Sequence, residues 1–191
     1  MLKVRRKKVL IILIALCGLF LTLLSQEALA YYSVIGEATS VITSGDIRCK
    51  IIEKMGEAEF PEEGVYVMPG RIISKRVSVK NVGSNPFWLR VKLVNAIDDA
   101  TLSADILELD LNRTEWLDGG DGYYYYYRVL QPEEETEKLF TQVKIAGSAD
   151  NSYLGKTLKL TVSAYAVQSE YNDASSPLKV AGWPADREAE T

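Results

Sequence analysis

This 191-residue sequence predicts an all-β fold: an antiparallel β-sandwich of jelly-roll or immunoglobulin-like type that follows an N-terminal signal peptide. Three observations carry the expectation. Apolar and polar residues alternate with period two in segment after segment between residues 31 and 168. Clusters of Gly, Pro, Asn, Asp and Ser separate those segments. Only one stretch, 95–107, has helical spacing, with Ile97, Leu102 and Ile106 in step, and a short helix or turn is expected there. Many short strands with one polar face build antiparallel sheets that pack face to face.

The strands follow in order. In IRCKI, Ile47, Cys49 and Ile51 share a face opposite Arg48 and Lys50. Cys49 is therefore expected in the core as a small hydrophobe. Shorter candidates are 46–53, 64–67, 105–111 and 123–129. Val77 and Val79 alternate with Arg76, Ser78 and Lys80. Phe87, Leu89, Val91 and Leu93 oppose Trp88, Arg90 and Lys92. Leu139, Val143 and Ile145 oppose Phe140, Gln142 and Lys144. Leu158, Leu160, Val162, Ala164 and Ala166 oppose Thr157, Lys159, Thr161 and Ser163. Turns are expected at 68–70, 81–86, 117–122, 130–135 and 146–152. Residues 169–191 read as a polar C-terminal tail with Pro177 and Pro184, in which Leu178, Val180 and Trp183 are candidates to dock on the sandwich.

Residues 1–30 read as an address. Lys3, Arg5, Arg6, Lys7 and Lys8 precede an uncharged run from Val9 to Leu24, and Ala28 and Ala30 form a small-x-small cleavage site before Tyr31. That order is a secretory signal peptide. The rival is an uncleaved anchor, but a 16-residue apolar run spans about 24 Å of helix, short of a bilayer core of about 30 Å. Cleavage leaves residues 31–191, with Lys+Arg falling from 22 to 17 and Asp+Glu from 26 to 25, a net charge of −8. Such a surface repels nucleic acid and anionic lipid, so neither is an expected partner.

Composition leans away from catalysis. The chain has no histidine, which removes the usual neutral-pH base and every Ser-His or Cys-His nucleophile pair. Its two cysteines exclude a disulfide scaffold and a four-thiolate metal site. No catalytic, cofactor or metal residues are assigned. Asp118 and Asp121, set among Gly119, Gly120 and Gly122, could hold calcium, but a polar hairpin turn accounts for the same residues. Asp98–Asp99 and Glu133–Glu134–Glu135 read as solvated acidic edges. The row Tyr123–Tyr127 splits into two faces. One could pack at the core edge, and an exposed one could bind sugar rings or another subunit; Trp88, Tyr124 and Tyr126 are the candidate aromatic surface.

The segment YYSVIGEATSVITSG at 31–45 is the most informative. Tyr32, Val34, Gly36, Ala38 and Ile42 form one mainly apolar face, broken by Ser40. A strand freed by cleavage could pair with its own sheet or add to a neighbour's.

The run ALAYYSVIGEATSVITSGDI, followed in order by VMPG, VSVKNVGSNPFWLRVKL, EWLDGGDGYYYYYRVLQPEEETEKLFTQVKI and LTVSAYAVQSE, resembles the SipW-dependent exported biofilm-matrix proteins, the TasA/camelysin-like family. The resemblance spans nearly residues 1–170. It implies a jelly-roll-like sandwich, processing by a dedicated signal peptidase, and a place in extracellular matrix or surface fibres. It also implies strand addition through 31–43, self-association or pairing with related matrix subunits, and no stable membrane insertion after cleavage. Camelysin-like proteins have been labelled metalloproteases. With no histidine here, a zinc site would have only carboxylates and Cys49, a poor set for that metal. The expectation is therefore a secreted, non-enzymatic structural protein without cofactor. The alternatives are a glycan- or wall-binding module and, further off, a protease. On this view a chain lacking 31–43 stays folded and forms no fibres.

Overall fold

The computed structural model describes residues 32–41, 46–170, 172 and 174–185, with Tyr32–Val41 and Val67 described by their backbone. Eleven strands occur among them: β1 Tyr32–Val41, β2 Cys49–Met55, β3 Ala58–Glu59, β4 Val65–Val67, β5 Ile72–Asn81, β6 Phe87–Ile97, β7 Leu107–Leu109, β8 Trp116–Asp118, β9 Tyr123–Tyr126, β10 Phe140–Ile145 and β11 Thr157–Gln168. They form an all-β sandwich. One sheet has the order β4-β1-β11-β6-β9-β8 and the other β3-β2-β5-β10-β7. The chain passes back and forth between the two, so the first sheet is complete only with β11, after the second has closed at β10.

Pairing is antiparallel throughout except between β1 and β11, which run parallel. The predicted alternation locates the core. Phe87, Leu89 and Val91 of β6 and Leu158, Leu160, Val162, Ala164 and Ala166 of β11 are buried on the inner face of the first sheet. Cys49, Ile51, Ile73, Val77 and Val79 face them from the second, with the Cys49 thiol buried, as its strand position predicted. A core of this kind is stabilised by roughly 1.5–3 kcal/mol for each large side chain taken out of water.

One local expectation holds in part and one fails. The stretch 95–107 takes the turn and not the helix: β6 continues to Ile97, held by β11 through the pair Ile97↔Leu158, and turns follow to β7. A long partner strand outweighs weak helical spacing. Phe140, expected opposite Leu139, is buried with it. The β5–β10 register shifts between Phe140 and Gln142, a bulge that turns two successive side chains inward. Asp110 holds the bulge: its carboxylate accepts from the N–H of Thr141 at 2.8 Å and of Gln142 at 2.7 Å. Burial pushes the Asp110 carboxyl up, but these bonds outweigh it and hold it below its ordinary value. Replacing Asp110 by Ala should cost about 1 kcal/mol and raise amide exchange at Thr141 and Gln142 first. Unchanged exchange there would disprove the role.

The acidic run at 133–135 is paired residue by residue. Glu133 meets Lys80 at 2.8 Å, Glu134 takes the Arg128 fork, with one contact at 2.9 Å, and Glu135 accepts from Ser78 and Lys138, both at 2.5 Å. Hydrogen bonds from Lys80 and Arg128 hold Glu133 and Glu134 below the ordinary glutamate value. Burial opposes the shift at Glu135, but Lys138 and Ser78 win. These groups have depressed folded pKa values. Their stabilisation is therefore complete above the unfolded glutamate range and lost as pH falls through the folded values. The clasp of 130–138 onto β5 should loosen first between about pH 5 and pH 3, read by amide exchange at Asn81 and Thr136. Equal exchange at both ends of that range would contradict it.

Candidate functional site

β1 lies in its own sheet. Its register runs beside β11 from Ser33↔Thr157 to Val41↔Tyr165, and β4 covers its other edge only over Tyr32–Val34. Positions Val34, Gly36 and Ala38 pair with Leu158, Leu160 and Val162, all inner-face residues of β11. The apolar stripe expected from sequence is therefore in step with the core. Tyr32 starts the strand; Ile42, Tyr31, Ala28 and Ala30 lie outside the described residues. From Ile35 to Val41, β11 is the strand partner of β1 among the described residues. A groove of about 390 Å³ lined by Met55, Val65, Met68 and Ile73 opens beside β4, with Tyr66 78% and Ile72 60% exposed on it.

β2, in the facing sheet, packs against β1, and its inner face carries a charge. Lys75 of β5 is 0% exposed, on the same face as Val77 and Val79. Its ammonium contacts the Glu53 carboxylate at 2.6 Å and lies 3.8 Å from the centre of the Phe60 ring. Burial pushes the Lys75 amine down, and Glu53 only partly restores it. Glu53 Oε1 is buried with no hydrogen-bond partner among the described residues. Period-two reading placed Val77 and Val79 inside but did not extend the strand back to Lys75. A lysine looks like a solvent residue until the facing sheet covers it.

The tyrosine row splits as alternation requires, but the surface assignment is corrected. Tyr126 is buried in the core, with its ring 5.1 Å from that of Trp116, and Tyr124 packs against the core. Trp88 points to the outer face of its sheet yet is only 8% exposed. The chain after β11 covers it. Trp88 Nε1 donates to Asn172 O at 3.2 Å, Val180 is buried, and the Trp183 ring lies 5.6 Å from that of Tyr125. Residues 174–185 are thus a strap over an aromatic face. Of the three expected anchors, Val180 and Trp183 dock and Leu178 stays exposed.

Under the strap lies Arg90. Its guanidinium is 3.8 Å from the centre of Tyr123, 4.9 Å from Trp183 and 5.4 Å from Tyr165. Nη2 donates to Pro184 O at 3.1 Å. Nη1 is 3.5 Å from the Tyr125 hydroxyl, which donates to Asp121 Oδ2 at 2.6 Å. Burial first, then the Asp121 carboxylate, push the Tyr125 hydroxyl up, so it remains a donor.

The hairpin carboxylates are committed to the fold. Asp121 Oδ1 accepts from Tyr123 N–H, and Asp118 accepts from Gly120 N–H and Arg113. A Cβ at Gly119 would sit 2.5 Å from Asp121 Oδ1 and from the Tyr125 ring, so the turn needs glycine there. Among the described residues no group of three or more Cys, Asp or Glu side chains is placed to hold a metal ion, and no helix is long and apolar enough to cross a membrane.

No protein-family description, no curated protein and no solved structure matches the chain.

Proposed function

We propose that this protein is a secreted, non-enzymatic structural subunit of an extracellular matrix or of surface fibres, and that it assembles by β-strand addition through its mature N-terminal strand. The observation that carries this is the setting of β1. Its one long pairing is with β11, the strand most distant from it in sequence, and that pairing is parallel. No tight turn joins the two. An identical strand from a second copy would fit the same register, with the same inner-face positions Val34, Gly36 and Ala38. Main-chain hydrogen bonds would supply affinity, and alternate side chains would set register. Such a head-to-tail contact need not close, so it can propagate. The half-covered edge of β1 and the exposed Tyr66 and Ile72 beside β4 also support an assembling surface.

The test is a cysteine pair. Glu37 and Thr161 are register partners, so the variant Glu37→Cys/Thr161→Cys can be oxidised in dilute and in concentrated mature protein. A crosslink within one chain when dilute, and between chains in assembled material, is expected. Assemblies that carry only within-chain crosslinks would eliminate strand exchange.

A further inference from the structure

We propose that Arg90, with Tyr123 and Tyr165, is a binding site for a ring-borne carboxylate, and that the C-terminal strap occupies this site in its absence. Arg90 is only 9% exposed, yet among the described residues no carboxylate pairs with it. Asp121 is linked to it through the Tyr125 hydroxyl. Buried guanidinium groups are expensive unless paired, and their N–H fork matches a carboxylate.

The fork is half used. Nε–H and Nη2–H project along one edge of the guanidinium, the edge that grips a carboxylate with two parallel bonds. Pro184 O takes Nη2, and Nε is buried with no hydrogen-bond partner among the described residues. A carbonyl oxygen can fill one position of that edge; a carboxylate fills both. The Trp183 ring, 4.9 Å from the guanidinium, fills the space a ligand ring would take. The strap therefore stands in for both parts of the ligand, an oxygen acceptor and a flat ring. Once it lifts, Tyr123 and Tyr165, whose rings meet edge to face at 5.6 Å, flank the exposed fork. Uronic sugars and aromatic acids share this chemistry: a ring face for the tyrosines and a carboxylate for the fork.

The strap is built to release as a unit. It carries its own turn at Pro177–Lys179, capped by Ser176, and Gly182 in the left-handed region at φ 77°. Among the described residues its hold on Arg90 is the Pro184 hydrogen bond and the Trp183 ring. The site lies on the outer face of the sheet and does not depend on strand exchange.

The experiment uses mature full-length protein, residues 31–191, and calorimetric titration with small probes, since the net charge of −8 repels long polyanions. The probes are trigalacturonate and indole-3-acetate, with maltotriose and indole-3-ethanol as neutral counterparts. Trp183→Ala removes the stand-in ring. Gly182→Val dislodges the strap through backbone strain and leaves every cage residue in place. Strap release is read by faster exchange of the Trp88 indole N–H, which the chain after β11 covers and which donates to Asn172 O.

A competitor in the same chain lowers apparent affinity by the fraction of time the site is open. Both variants should bind at least one acid about tenfold or more tighter than the wild type. The preferred acid identifies the source. Neutral probes should not bind, and adding Arg90→Lys, which keeps the charge but loses the fork, should abolish the gain. Release of the strap without acid binding would overturn the proposal. So would equal binding of neutral probes, binding that survives Arg90→Lys in a protein with an unchanged melting temperature, or a strap that neither variant releases. If Trp183→Ala fails to fold, Gly182→Val decides alone.

Discussion

Replacing Lys75 by Ala should destabilise the sandwich by about 3–5 kcal/mol, more than removing any single apolar methyl group from the same face. The reason is what it leaves behind. Lys75 Nζ is the hydrogen-bond partner of Glu53 Oε2, and Glu53 Oε1 already has none. Without the ammonium, a carboxylate whose side chain is only 13% exposed keeps little water and loses its counter-charge. Glu53→Ala should cost a similar amount by stranding the ammonium against the Phe60 ring, which offers a cation only part of what a carboxylate does. The double variant Lys75→Met/Glu53→Leu should recover most of the loss, because two apolar side chains of similar volume need no solvation. Chemical denaturation of the wild type, Lys75→Met, Glu53→Leu and the double variant measures this cycle. Additive single losses, with no recovery in the double variant, would mean that the pair is not coupled and that the contact at 2.6 Å contributes nothing.

Deleting residues 31–43 should have the second large effect. On sequence alone the truncated chain is expected to stay folded, because an assembly strand is then an appendage. The pairing in the structure changes that expectation. β1 supplies the neighbour along β11 from Thr157 to Tyr165, and it packs against β2, whose inner face holds Ile51 and Glu53. Its loss opens one edge of the core and hydrates the Glu53–Lys75 pair. We expect a loss on the order of 5 kcal/mol, enough to lower the melting temperature by about 10 °C or more. A synthetic peptide of residues 31–43, added in trans, should restore the melting temperature in proportion to its concentration, since it binds only the folded slot. Its scrambled counterpart should not. If the truncated chain melts like the mature protein, β1 is not part of the cooperative unit. If the peptide has no effect on a destabilised chain, the slot does not accept a strand from outside, and assembly by strand addition falls with it.

Much of this protein is legible residue by residue. The alternation in Phe87–Leu93 and Thr157–Ala166 identifies strands and their inner faces, because a strand has only two faces and the core takes one. The stripe Val34, Gly36, Ala38 is legible for the same reason, and the register beside β11 keeps it in step with the core. The tyrosine row is legible in its alternation but not in its sense. Which of its faces is the inner one depends on Trp116, which lies across the hairpin and packs on Tyr126. Phe140 was misplaced because a bulge costs one residue of register and leaves no local mark except Asp110, 30 positions earlier in the chain.

By itself, then, the sequence determined most of the strands, though not Ala58–Glu59 or Trp116–Asp118, most of their inward faces, most of the turns between them and the acidic charge, since each depends on neighbours two or three residues apart. Only the tertiary structure decided that Lys75 is buried, that Trp88 is covered and that Arg90 sits in an aromatic cage. Each of those depends on a segment distant in the chain, Glu53 and Phe60 for the first, and Asn172, Trp183 and Pro184 for the other two. Solvent exposure is a property of what lies on top of a residue, and local periodicity carries no information about that.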